Sequence, residues 1–131
     1  MTGLDTNVLI RYLTQDDPLQ SVKATEIIEK QLTKNDPGFV NLVTLVETVW
    51  VLGSIYDLSN QEIAATVERM LQADTLVIQN EQQVFLAVVA LRSGRGAFAD
   101  ALIGALDAWA GCGRTLTFDK KAMRLGSFEL V

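Results

Sequence analysis

Asp5, Glu47, Asp100 and Asp119 are the residues from which chemistry is expected. Each stands in or beside an apolar stretch, "LDTNVLI", "LVTLVETVWVL", "FADALI" and "TLTFD". An unpaired charge costs several kcal/mol to desolvate, so a carboxylate in such company requires a partner. Held together, three or four carboxylates repel, and without a cation some take up protons. A hard divalent cation such as Mg²⁺ resolves this, because it takes oxygen ligands and keeps waters and substrate oxygens. Such a site generates a hydroxide nucleophile and steadies charge on a phosphoryl group. Metal-assisted phosphodiester hydrolysis is the reaction these residues suggest.

Each acid also has a plainer reading. Asp5 and Asp100 stand where a helix cap is favoured, and Asp119 before Lys120 and Lys121 suits a surface turn. Glu47 is harder to explain away, since it interrupts an apolar run with no Lys or Arg at helical spacing. Asp107 falls on the same helical face as Asp100 but about two turns along, which suits an outer role.

Composition narrows the chemistry further. The chain has 131 residues and no histidine, which excludes a Ser-His triad, a His general base and His-ligated zinc. Its length suits one domain spanning 1–131, and with 49% hydrophobic residues disorder is not expected. Cys112 is the single cysteine, which excludes an internal disulfide and suits a reducing cytoplasm. No apolar stretch approaches the roughly 18 residues of a membrane span, and no signal peptide is recognised.

The net charge of −5 is unevenly spread. Residues 1–90 hold 5 Lys/Arg against 12 Asp/Glu, whereas residues 91–131 hold 6 against 4. Arg95, Arg114 and Lys120 thus share the basic third of the chain with Asp100 and Asp119, and are candidates for phosphate contacts.

The elements that must position these groups follow from the apolar patterning. Strands are expected at 2–5, 38–41, 76–78 and 114–118, with a last edge strand at "SFELV". Helices are expected from Thr6, from "DDP" at 16–18, over 42–54, after the "SNQE" capping box, from Asn80 to about Ser93, and over 98–110. The second helix is expected to bury Leu19, Val22, Ile27, Ile28 and Leu32, and the last to bury Leu102, Ala105, Leu106 and Trp109. Short strands alternating with such helices predict an α/β fold with a parallel sheet covered on both faces. Asp5, Glu47 and Asp119 then fall near the carboxyl ends of strands, where sites form in open parallel sheets.

The blocks "GLDTNVLIRYL", "LVTLVETVWVL", "GAFADALIGAL" and "TLTFDKKA" together resemble the PIN-domain ribonucleases, with the nearest likeness to VapC-type toxins of bacterial toxin–antitoxin pairs. The resemblance implies a three-layer α/β/α fold around a central, mostly parallel sheet. It implies that Asp5, Glu47 and Asp100 hold Mg²⁺, for which Mn²⁺ substitutes, and that Asp119 is the more variable fourth acid. Thr6, Asn7 and Thr117 match supporting polar positions, and Arg11 a basic residue that meets RNA or antitoxin. Further implications are an RNA substrate, a homodimer and inhibition by a small antitoxin. One departure stands out: Ala97 occupies the place where relatives often carry an extra acid.

Two other classes compete. A haloacid-dehalogenase-type phosphatase needs a second Asp where this chain has Asn7, and a receiver domain needs its acids at a strand end, not in "DDP". The remaining alternative is a non-catalytic PIN-like module that binds RNA or protein.

Overall fold

The computed structural model describes residues 1–131. The chain packs as two compact units, Met1–Ser59 with Arg69–Gln79, and Asn60–Glu68 with Asn80–Val131. No helix is long and apolar enough to cross a membrane.

The first unit contains β1 (Thr2–Gly3), α1 (Thr6–Thr14), α2 (Gln20–Glu26), β2 (Gly38–Val40), α3 (Leu42–Ser54) and β3 (Leu76–Ile78). Its strands form a parallel sheet in the order β1-β2-β3, with Gly38 opposite both Thr2 and Leu76. Both strand-to-helix turns are closed by a side-chain oxygen. Asp5 Oδ1 accepts from the Thr6 amide at 2.7 Å, and Asn41 Oδ1 accepts from the Thr44 amide at 2.9 Å. These bonds satisfy donors that a helix start leaves unpaired. Leu4, Leu9, Ile10, Val40, Leu45 and Leu52 fill the core between sheet and helices.

The second helix buries Ile28 and Leu32 as expected, but its first turns face inward differently. Ser21, Ala24 and Ile28 are buried, whereas Leu19 and Val22 are 77% and 64% exposed. The small side chains are the ones that admit close approach of α1, against which α2 packs. Past Glu26 the helix widens into a π-helical turn, Ile27–Gln31, closed by a bond from the Leu32 amide to the Ile27 carbonyl at 2.9 Å. Ile28 and Leu32, four residues apart, are both buried.

The second unit contains α5 (Glu81–Arg92), α6 (Phe98–Trp109), β4 (Thr115–Thr117), a 3₁₀ turn (Lys120–Leu125) and β5 (Phe128–Leu130). The helix α4 (Asn60–Gln72) contributes residues to both units. Its inward face is Ile63, Val67 and Met70, all buried, with Leu71 half-buried beside them. The last two strands pair in parallel, Thr115 opposite Phe128. Helices α5 and α6 pack face to face through Val84, Ala87, Val88, Leu91, Phe98 and Leu102. A side chain at Gly104 would place its Cβ 2.6 Å from Ser127 Oγ and 3.0 Å from the Phe128 ring. Only glycine lets α6 lie this close to β5.

Two local expectations need correction. Trp109 is 68% exposed, because it is the last residue of α6 and lies beyond the stretch that packs; the buried face is Phe98, Ala101, Leu102 and Gly104. Asn80 precedes α5 but does not cap it through its side chain. It adopts a left-handed backbone (φ 51°) and turns its amide to Gln83 Oε1 at 3.4 Å.

Candidate active site

Asp100 and Asp119 line one cavity of about 560 Å³ in the second unit, together with Arg95, Lys120, Lys121 and Arg124. Asp100 arrives on the first turn of α6, half-buried between the buried Phe98 and Ala101. Asp119 arrives at the carboxyl end of β4, where its amide donates to Thr117 Oγ1 at 3.0 Å. Its Oδ1 accepts from the Lys121 amide at 2.9 Å and so caps the 3₁₀ turn. Thr117 thus touches the Asp119 backbone through its hydroxyl. Gly94, on the cavity wall, holds φ at 70°, a left-handed conformation that glycine adopts without strain.

Arg95, Lys120, Lys121 and Arg124 form no ion pair, although two carboxylates share their cavity. Arg95 and Lys120, the two expected phosphate contacts of this cavity, line its wall. Lys121, Arg124 and Asn60 were missed in the sequence; the basic third of the chain signalled the first two, and nothing signalled Asn60. Arg114 does not line the cavity. Its Nη1 pairs with Glu129 Oε2 at 3.0 Å across the β4–β5 pair, in an exposed ion pair. Asp107 is likewise spoken for, accepting from Thr115 Oγ1 at 2.8 Å.

Asp5 and Glu47 belong to the first unit. Asp5 is exposed at the carboxyl end of β1, with Oδ1 committed to Thr6 and Oδ2 free. The apolar neighbours that made it look buried, Leu4, Leu9 and Ile10, turn inward while the strand-to-helix junction leaves Asp5 outside. Glu47 is exposed on α3, between the buried Leu45 and Thr48. Glu47 is thus no buried charge, but lies on an exposed face of α3 between the apolar Val43 and Trp50. Next to Asp5, the Thr6 hydroxyl is buried with no hydrogen-bond partner.

Arg11 is engaged within the first unit. Its Nη1 lies 3.1 Å from both oxygens of Asp16, and its Nε donates to Gln20 Oε1 at 2.8 Å. The Tyr56 hydroxyl donates a short bond to the same Asp16 carboxylate, and Thr14 Oγ1 adds another at 3.0 Å. The Tyr56 bond, with those of Thr14 and Arg11, holds the Asp16 carboxyl below its ordinary range. Asp16 in turn raises the Arg11 guanidinium. Arg11 is therefore a tie between α1, the start of α2 and the segment after α3. Its cavity, about 250 Å³ and shared with Asn7 and Lys23, is separate from that of Asp100.

The donor set fits a hard divalent cation. Every acid at issue offers carboxylate oxygen, and the chain has no histidine to favour a softer metal. The carboxylates of Glu47 and Asp100 accept no hydrogen bond and join no ion pair, and Asp5 and Asp119 each keep one oxygen free. No group of three or more Asp, Glu or Cys side chains is gathered closely enough to enclose a cation, and each unit supplies two of the four acids. Two carboxylates on one cavity match the way Mg²⁺ is held, by one or two carboxylates with substrate phosphates completing its shell.

The PIN-domain family model matches residues 4–127, nearly the whole chain. The chain belongs to the PIN-domain family. Its mixture of helices with parallel strands is consistent with the α/β/α fold of that family. PIN domains are generally nucleases that act on RNA, typically hydrolases using divalent metal ions, commonly Mg²⁺, and often paired with antitoxins. Among curated proteins, none matches the chain significantly.

Proposed function

We propose that this PIN domain is a Mg²⁺-dependent endoribonuclease, with Mn²⁺ able to substitute, and that it is the toxin of a VapBC-type pair. The observation that carries the reading is the convergence of Asp100 and Asp119 on one cavity that also holds four unpaired cations. The match to the family model across residues 4–127 takes in residues of both compact units, which supports treating 1–131 as one working domain.

In this reading Asp5, Glu47 and Asp100 are the principal metal ligands, and Asp119 holds water or a further ion. When bound, the cation supplies a water of lowered pKa and counter-charge for the phosphoryl oxygens. Asp100 and Asp119 present their oxygens from two differently anchored elements, so their spacing is set by the packing of α6 and the cap on the 3₁₀ turn. Arg95 and Lys120 bind the phosphate and hold it for in-line attack. Thr6 and Asn7, next to Asp5 in the chain, are its supporting polar residues in this reading. Ala97 adds no charge at the start of α6, so the reading assigns no ligand there.

The partners are an RNA substrate, a cognate antitoxin and a second copy of the chain, in the cytoplasm. Exposed Val43 and Trp50 on α3, and exposed Phe85 and Leu86 on α5, are apolar surface that a homodimer would cover.

The test is cleavage of a mixed transfer- and ribosomal-RNA pool by purified chain with Mg²⁺, with Mn²⁺ and with chelator, beside Asp100→Asn prepared identically. Discrete metal-dependent fragments from wild type alone are expected. Fragments from both proteins would overturn the assignment of Asp100.

A further inference from the structure

Four cations and two carboxylates line the cavity of Asp100, leaving a surplus of two positive charges. None of the four cations is neutralised by the protein. With a divalent cation held by Asp5, Glu47, Asp100 and Asp119, as the nuclease reading has it, the surplus is again two. A phosphodiester carries about one negative charge. The single phosphate being cleaved is therefore too little anion for the cavity.

We propose that Lys121 and Arg124 form a second oxyanion position that holds a backbone phosphate flanking the cleaved one, so that the cavity takes a run of single-stranded RNA. This rests on the nuclease reading and adds two residues to it. Both residues are placed by the 3₁₀ turn that Asp119 caps, so the flanking phosphate and the acid are positioned by one element. Arg95 lies on the opposite side of the same acids in the sequence, in the turn before α6, and is fixed there by a bond from its amide to the Ala90 carbonyl at 3.0 Å. The cavity volume of about 560 Å³ is within the range that encloses a small organic ligand, with room beyond one phosphate group.

The experiment measures binding of a fluorescent ten-nucleotide single-stranded RNA by anisotropy, with the full chain in chelator, across a salt series. Each phosphate contact contributes a slope of about 0.7 in log affinity against log salt for single strands. Lys121→Gln and Arg124→Gln are each expected to reduce the slope by about 0.7, and the double variant by about 1.4. Lys121→Arg, which keeps the charge, should retain the slope. Lys34→Gln removes the same charge from a turn far along the chain and should leave the slope unchanged. The proposal is overturned by a double variant with the wild-type slope, by an equal loss in Lys34→Gln, or by a wild type that binds no RNA. Cleavage with Mg²⁺ on the same preparations separates the two readings. Intact cutting with an unmoved slope removes only the flanking site, whereas a reduced slope in a chain that never cuts keeps the site and removes the nuclease.

Discussion

Asp100 and Asp119 open onto the same cavity from two elements that are held in different ways. Asp100 is fixed by the buried neighbours of its helix, Asp119 by its own bond to the amide of Lys121. The first can be changed to an uncharged isostere without touching a hydrogen bond, the second only at the risk of its cap. That difference separates catalytic from structural effects.

Asp100→Asn is expected to lower Mg²⁺-dependent RNA cleavage by about a hundredfold or more. Its unfolding free energy should stay within about 0.5 kcal/mol of wild type, because no partner is lost. Denaturant melts beside a cleavage time course check both halves. Excess chelator should reduce the wild type to the level of the variant.

Asp5 caps α1, so two substitutions there should part company. Asp5→Ala loses the bond to the Thr6 amide and should cost about 1 kcal/mol in urea unfolding, whereas Asn, itself a good cap, should cost only a few tenths. Both should lose cleavage alike. Retained cleavage in Asp5→Asn would show that the carboxylate serves the helix alone.

Asp16 predicts a pH effect on stability. Its folded pKa lies below the ordinary carboxylate value, chiefly through the Tyr56 hydroxyl, so its ionised form is favoured by folding. That contribution is complete above the unfolded carboxylate pKa and fades as pH falls through the lowered folded value. Tyr56→Phe and Asp16→Asn should both flatten the acid limb of a stability-against-pH curve measured between neutral pH and about pH 3. Arg11 is raised and stays charged across this window, so it adds no slope.

Neighbouring residues of α6 should respond unequally to truncation. Leu102 is 2% exposed and Ile103 46% exposed. Leu102→Ala should cost about 2–5 kcal/mol by leaving a cavity against α5, and Ile103→Ala under about 1 kcal/mol. Equilibrium denaturation of the two proteins tests the packing directly.

The sequence by itself determined the element types and the acids. Helix 42–54 and strand 76–78 coincide with α3 and β3, because long apolar periodicity and short β-branched runs are local signals. The four blocks around Asp5, Glu47, Asp100 and Asp119 were likewise sufficient to indicate the PIN family, which the match over residues 4–127 shows. Helix faces were less legible. Leu19, Val22 and Trp109 are apolar and yet exposed, since which side of a helix is buried depends on the neighbour it meets, and small residues such as Ser21, Ala24 and Gly104 win where backbones approach closely. The commitments of charged side chains were not legible at all. Nothing local showed that Arg11 and Arg114 are paired with Asp16 and Glu129, or that Lys121 and Arg124 join Arg95 and Lys120 on the cavity of Asp100. A charge's role is set by which opposite charge lies within a few ångströms, and only the tertiary structure supplies that distance.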